Sequence, residues 1–431
     1  MIKYFFFLFI IILFNNCSFD TKSGLWTQEK EIETVQKDTK KLFDKELLNE
    51  NEFNKDLILK ISNNVINKDV VRGNNLGILD FDLKFNKISR YKFKKIEYFD
   101  QFEPELIFFD NDLIFFDNKG TIIRFSDDSK IIWKKNYYNK SQKKLKPILS
   151  FSHQKNFLLV SDSLSRYYLV DLRTGKLIWS KDHVTNFISD IKIDNNKFYV
   201  LDSNNSFLCF SLIDGKKLWE FQTEQKLINS QKKTSIIFNN FSVFFNNTKG
   251  EVVSLDKNSG ELIWLTSTLS FEESNQSFLY KTSDLVLDNS SIYLSNNKNK
   301  FISIDVRSGL INWTQMLDSQ LRPIIVDDII LTVSTNGYLY VIQKKTGKII
   351  RITNIFSNLK KGLRKKIKPT GFAVSFKDIF VTTNVGQLFV INTSDGKQNL
   401  LHKISRDKIS KPYINNKKLY VIKDNQIIKL N

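Results

Sequence analysis

A chain of 431 residues, 41% of them hydrophobic, can bury a large core, and no apolar run beyond residue 14 is long enough to cross a bilayer as a helix. Its two cysteines, Cys17 and Cys209, exclude a disulfide framework. The formal charge of +19 admits two readings: an anionic partner such as nucleic acid or a membrane surface, or a coding bias toward Lys, Asn, Ile and Phe. The lysines are scattered along the chain, which favours the second, and no nucleic-acid partner is expected. One basic cluster stands apart, Lys360, Lys361, Arg364, Lys365, Lys366 and Lys368 around Gly362. It reads as an exposed loop suited to lipid headgroups or an acidic partner.

In chain order, Met1-Ile2-Lys3 is a short positive start, followed by an apolar stretch from Tyr4 to Phe14 and then Asn15-Asn16-Cys17-Ser18. Eleven apolar residues are too few to span a bilayer and suit the core of a signal peptide. A cysteine directly after such a core resembles the lipoprotein signal, in which the thiol is acylated and becomes the new N-terminus. Residues 1–16 are therefore expected to be the signal peptide and Cys17 the lipidated residue. That pattern has a small residue before the cysteine, where Asn16 stands here, so an ordinary signal peptide with Cys17 incidental is the alternative. Ser18 in the following position fits the same family's rule for sorting to the outer membrane. Residues 17–75 are hydrophilic and read as a tether, partly helical or disordered, with a loose helical stripe at Ile32, Val35, Leu42, Phe43, Leu47 and Leu48. As a flexible coil such a segment spans on the order of 40 Å.

Residues 76–431 carry an internal repeat. Gly175-Lys176-Leu177-Ile178-Trp179 returns as Gly215 to Trp219, Gly260 to Trp264 and Gly309 to Trp313, with Trp always four residues after Gly. Trp133 is an earlier copy with a turn one residue shorter. Five of the six tryptophans thus occupy one repeat position, and Arg351 and Leu400 hold it in two further copies. The anchor positions 133, 179, 219, 264, 313, 351 and 400 are spaced by 38 to 49 residues, the length of one four-stranded propeller blade. Within each unit, short alternating strands are separated by turns, as in Ile329–Val333, Asn336-Gly337 and Tyr338–Ile342. Trp133, Trp179, Trp219, Trp264 and Trp313 are expected to pack one blade against the next. Cys209, within Phe207-Leu208-Cys209-Phe210, reads as a small buried hydrophobe.

Two strands of an eighth unit, Lys418–Ile422 and Gln426–Leu430, follow the last anchor, and one unpartnered alternating strand, Ile88–Phe93, precedes the first. Joining them closes the ring with Tyr91 in the place of a tryptophan and removes the sheet edges that invite aggregation. The expected fold is all-β, an eight-bladed propeller of four-stranded antiparallel blades; seven blades result if these pieces pair otherwise.

The motif Asp-x-x-x-Gly-x-x-x-Trp, at Asp171, Asp256 and Asp305, resembles the PQQ-like, quinoprotein-type propeller repeat over roughly residues 85–431. With the lipoprotein signal ahead of one bare propeller, the chain resembles the BamB-type lipoproteins of outer-membrane protein assembly. That resemblance implies a non-enzymatic scaffold, lipid-anchored at the periplasmic face of the outer membrane. It implies a monomer within a hetero-complex, binding the barrel assembly subunit and assisting unfolded barrel precursors. It further implies partner contacts by loops after blades three and four, here Leu227, Ile228, Asn229 and Ser230, then Tyr280 to Thr282. The family has a leucine-arginine stretch in the first loop and an acidic pair in the second. Leu227 matches, whereas Ser230, Tyr280 and Thr282 depart.

An enzymatic reading, a PQQ- and calcium-dependent dehydrogenase, requires in that family an adjacent Cys-Cys pair, which this sequence lacks. Calcium wants several convergent oxygens, and no Asp-rich loop offers them. His153, His183 and His402 are widely separated and carry no metal-site spacing. Asp171, Asp256 and Asp305 recur with the repeat, which marks them as turn residues rather than catalytic ones. No cofactor, metal or catalytic residue is expected. An exported binding module or sensor with a different partner is the rival function.

Overall fold

The computed structural model describes residues 50–60, 84–97, 99, 104–224, 233–270, 273 and 280–431. The expected signal peptide, Cys17 and most of the tether lie outside these. Eight four-stranded antiparallel sheets make up the ring. Blades one to seven occupy 107–135, 149–182, 192–222, 236–267, 286–316, 324–354 and 369–403. Blade eight takes its three inner strands from 413–430 and its outer strand from Lys87–Lys92, which runs antiparallel to Gln426–Leu430 with Tyr91 opposite Ile427. Paired backbone bonds between Asn86 and Asn431, 3.1 and 3.0 Å, complete the closure. The expected eight-bladed ring is the one observed.

The strand patterns follow from position in the blade. The two middle strands are covered by neighbouring blades on both sides, so Glu251–Asp256 and Lys300–Asp305 are buried at four consecutive positions. Such strands read as apolar runs rather than as an alternation. Outer strands alternate instead, as in Ile311–Met316. Between blades the filling is aromatic and aliphatic; Phe207 stacks on Phe245 with centroids 4.2 Å apart. Each fully buried side chain of this size contributes about 1.5–3 kcal/mol.

The recurrent glycine and tryptophan are four residues apart in sequence but meet across consecutive blades. Each outer-strand tryptophan lies on the turn joining the last two strands of the next blade. Trp133 Nε1 donates to the Leu172 carbonyl at 2.9 Å, Trp179 to Leu212 at 3.1 Å, Trp264 to Val306 at 3.0 Å and Trp313 to Lys344 at 3.0 Å. A Cβ on Gly309 would stand 2.6 Å from Trp264 Cδ2, and φ there is +73°. Glycine is required twice over, by the left-handed backbone and by the ring lying on it. Tyr91 takes the equivalent place in blade eight, its hydroxyl donating to Asp127 O at 2.9 Å. Leu400 is 40% exposed. Blade eight draws its outer strand from elsewhere in the chain, so no turn lies in front of Leu400 to receive a ring.

Arg351 fills the same position in blade six and is fully buried. Its Nη2 donates to Thr393 O at 3.3 Å, the carbonyl equivalent to those met by the tryptophans. Its Nη1 donates to Leu57 O at 2.9 Å. Leu57 belongs to residues 50–60, which fall inside the stretch expected as tether. They lie instead along the outer edge of blade six, joined to it by a single antiparallel bridge between Phe53 and Ile352. Phe53 and Ile352 exchange both backbone bonds, 3.1 and 2.9 Å, and Leu59 N donates to Ser394 O at 2.8 Å. At the other end of the segment, the Glu50 carboxylate accepts from Tyr340 Oη at 2.8 Å and Asn336 Nδ2 at 2.9 Å. An exposed sheet edge is thereby covered.

Cys209 is fully buried, and burial pushes its thiol up to about 12. The thiolate is the reactive form, so iodoacetamide at pH 8 is expected to leave Cys209 unmodified in the native protein. Peptide mapping after denaturation should then find it fully labelled; native labelling would place it outside the core.

Candidate partner-docking face

Strand direction gives the ring two unlike faces. One carries the short turns that receive the tryptophans. The other carries the connections between blades together with the hairpins joining each blade's second and third strands. These loops are stitched to one another: Thr223 N donates to Asn205 O at 3.1 Å, Thr268 N to Gly250 O at 2.9 Å and Leu317 N to Asn299 O at 2.9 Å. The described ends of the loops after blades three and four, at Thr223 and Thr268, lie on this second face.

A polar residue caps the hairpins of blades one to five there in a repeated geometry. Asp117 Oδ1 accepts from Lys119 N at 2.9 Å and Thr121 N at 3.0 Å, and Asp162 Oδ1 from Leu164 N at 2.8 Å and Arg166 N at 2.9 Å. Asp202, Asn247 and Asn296 do the same two and four residues ahead. Side-chain oxygens of this kind replace backbone partners that a tight turn cannot supply. This second repeat, at 117, 162, 202, 247 and 296, escapes a search for one residue type because it is Asp in three copies and Asn in two.

Of the six residues expected to touch a partner, Leu227, Ile228, Asn229 and Ser230 lie outside the described residues. Tyr280 and Thr282 are buried. Thr282 Oγ1 accepts from Asn246 Nδ2 at 2.6 Å, and Asn246 Oδ1 accepts from Ser235 N at 2.6 Å. The Tyr280 hydroxyl bonds to Thr268 Oγ1, whose own hydroxyl reaches Gly250 O at 2.7 Å. Burial pushes the Tyr280 hydroxyl up to about 12, so it stays a neutral hydrogen-bonding group. The two side chains face inward and hold the loop ends of blades four and five together. Lys233, Thr234, Asn246, Asn247 and Thr248 line a small cleft beside them. Sequence reasoning missed this network; short polar residues before a strand look like ordinary loop.

The other candidates are structural. Asp256 and Asp305 cap their turns, each Oδ1 accepting the backbone N–H groups of Ser259 and Ser308 at 2.8 Å. Those backbone bonds hold both carboxyls below the usual range. Asp171 accepts from Thr174 N at 2.8 Å in the same way. His183 Nε2 lies 3.2 Å from Asp202 Oδ2, His402 packs on Phe85, and His153 sits in another blade. Among the described residues no group of three His, Cys, Asp or Glu side chains converges as a metal site would require.

A family model described as outer membrane protein assembly factor BamB matches residues 118–353, more than half of the chain. Among curated protein sequences none matches. The fold is similar to the crystal structure of BamB from Moraxella catarrhalis, with TM-score 0.64 and 14% identity over 80% of this chain and 100% of that one. It is similar to the computationally designed Ika8 protein, with TM-score 0.58 and 12% identity over 81% and 98%. The quinohemoprotein alcohol dehydrogenase ADHIIG from Pseudomonas putida HK5 shares the ring as well, with TM-score 0.60 and 9% identity over 82% and 78%. At such identities the structural likenesses speak for the fold alone.

Proposed function

The chain belongs to the family of the outer membrane protein assembly factor BamB, and from that premise we propose that it is a non-enzymatic scaffold of outer-membrane β-barrel assembly. It binds the barrel assembly subunit through the loop face after blades three and four, as a monomer within a hetero-complex, and helps keep unfolded barrel precursors near the membrane. Cys17 carries the lipid anchor, and the propeller works at the periplasmic face of the outer membrane.

The family match carries this reading, and the build of the loop face supports it. A docking surface gains affinity when its loops are ordered before the partner arrives, and the hairpin caps and the Tyr280–Thr268 and Asn246–Thr282 bonds supply that order. The propeller fold, shared with quinohemoprotein dehydrogenases, does not decide between enzyme and scaffold. In the ring Cys209 stands alone and buried, and the adjacent cysteine pair of the enzymatic reading is absent from the sequence.

The test is an affinity pull-down from detergent-solubilised membranes with the tagged native protein, followed by mass spectrometry. Recovery of the barrel assembly subunit is expected, falling at least tenfold for Leu227→Glu with no change in thermal unfolding. Recovery of an unrelated envelope protein in its place would move the function to a binding module of different purpose.

A further inference from the structure

The loop face holds a second feature, a strong segregation of charge. The connection between blades six and seven, 355–368, contains six Lys or Arg residues and no Asp or Glu; that between blades one and two, 136–148, contains four lysines and again no acid. Both form a short helix, Lys140–Lys144 and Lys361–Arg364, and each presents a leucine to solvent, Leu145 at 65% and Leu363 at 37% exposure. Several lysines elsewhere in the ring are matched with acids, Lys257 with Asp194 at 2.8 Å, Lys300 with Glu273 at 2.6 Å and Lys344 with Asp288 at 2.9 Å, and in the 136–148 connection Lys146 pairs with Glu97. Among the described residues none of Lys360, Lys361, Arg364, Lys365 and Lys366 is ion-paired.

The 355–368 connection is also a built platform. Ile355, Phe356 and Ile367 are buried beneath it, with Phe356 packed on Phe389 at 5.0 Å between centroids. At its summit Gly362 has open space around it and an ordinary φ, so neither packing nor backbone geometry demands glycine there. The platform therefore presents Lys360, Lys361, Lys365, Lys366 and Leu363 outward, while Lys368 is taken up by Asn336 and Arg364 is half-buried.

Its position supplies the direction. The chain enters the described ring at Glu50, on this same face, where Asn336 receives a bond from Lys368 Nζ at 3.0 Å and gives one to Glu50 Oε2 at 2.9 Å. Cys17, the lipid anchor of the proposed function, lies 33 residues ahead of Glu50 in the sequence. On that reading the anchored chain joins the ring on the face that carries these cations.

We propose that the two acid-free loops 355–368 and 136–148 form a lipid-contact surface that binds anionic headgroups, with Leu363 and Leu145 entering the interfacial layer. Each cation brought near an anionic surface raises affinity roughly fivefold, and screening over about 8 Å at physiological ionic strength confines the effect to direct apposition. The two connections belong to other seams of the ring than those after blades three and four, so lipid and protein partner can be held together.

The experiment uses the full chain reconstituted into phosphatidylcholine vesicles with or without phosphatidylglycerol and no other protein. Lysines are labelled by an amine-reactive acetylating reagent and quantified by mass spectrometry. Lys360, Lys361, Lys365 and Lys366 are expected to be protected at least fivefold in the anionic vesicles, with no protection at Lys176, Lys216 or Lys397 on the opposite face. High salt should abolish the difference. K360Q/K361Q/R364Q/K365Q should reduce protection of Lys143 and Lys144 while leaving the melting temperature unchanged. Equal labelling in the two vesicle types, or protection that appears only when the barrel assembly subunit is added, overturns the proposal. Failure of the scaffold reading would leave these protein-free measurements untouched.

Discussion

Trp264→Ala is expected to destabilise the ring by about 3–5 kcal/mol, the range for truncating a large buried aromatic. The residue is buried, its indole N–H holds the Val306 carbonyl, and its ring lies on Gly309 in the next blade. Truncation removes the stack, opens a cavity between blades four and five, and strips a carbonyl of its partner. Leu400→Ala, at the same repeat position in blade seven, should cost less than about 1 kcal/mol, as exposed substitutions do. Chemical denaturation of both variants measures the contrast. Equal losses would show that the tryptophan acts within its own blade and not across the seam. Gly309→Ala probes the seam from the other side: its Cβ would press on the indole at 2.6 Å and its φ of +73° is costly for alanine.

The second large effect belongs to Arg351. Arg351→Ala is expected to cost about 3 kcal/mol or more, because the buried Thr393 carbonyl and the half-buried Leu57 carbonyl lose their donors, a buried unsatisfied group costs about 1–3 kcal/mol, and a large buried side chain is removed. Arg351→Trp separates two roles. The indole can restore the contact seen in the other seams, so global stability should largely return. It has no second donor for Leu57, so residues 50–60 should come off blade six. Hydrogen exchange at the amides of Phe53 and Leu59 reads this directly: protected in the native protein, at least tenfold faster in Arg351→Trp. If those amides stay protected, the segment is held by Glu50 on Tyr340 and Asn336 instead, and arginine at 351 is only a substitute for tryptophan.

Why the ring was legible in the sequence is visible in the same residues. Tryptophan is rare, each copy meets the same glycine turn in the next blade, and the spacing cannot drift without breaking that contact. Closure was legible because Lys87–Lys92 and Gln426–Leu430 are each incomplete alone. The hairpin caps at Asp117, Asp162, Asp202, Asn247 and Asn296 were not, since either Asp or Asn supplies the accepting oxygen. Nor was the edge segment at 50–60. Its sequence, with Glu50, Glu52, Lys55 and Asp56, shows no alternation, and its partners lie some 300 residues away. Tyr280 and Thr282 were expected to face a partner, but in the structure their hydroxyls are turned inward to satisfy buried neighbours.

The seam in blade eight imposes an order in time. Lys87–Lys92 emerges among the first strands of any chain made or exported from its N-terminus, yet its partner Gln426–Leu430 is among the last. Until then blade one lacks its neighbour on one side and the early strand lies open to wrong pairings. Bringing together segments some 340 residues apart carries a loop-closure entropy that only a nearly finished ring can offset. The ring therefore behaves less like an array that grows stable blade by blade than like a clasp, secure only when its two ends are engaged.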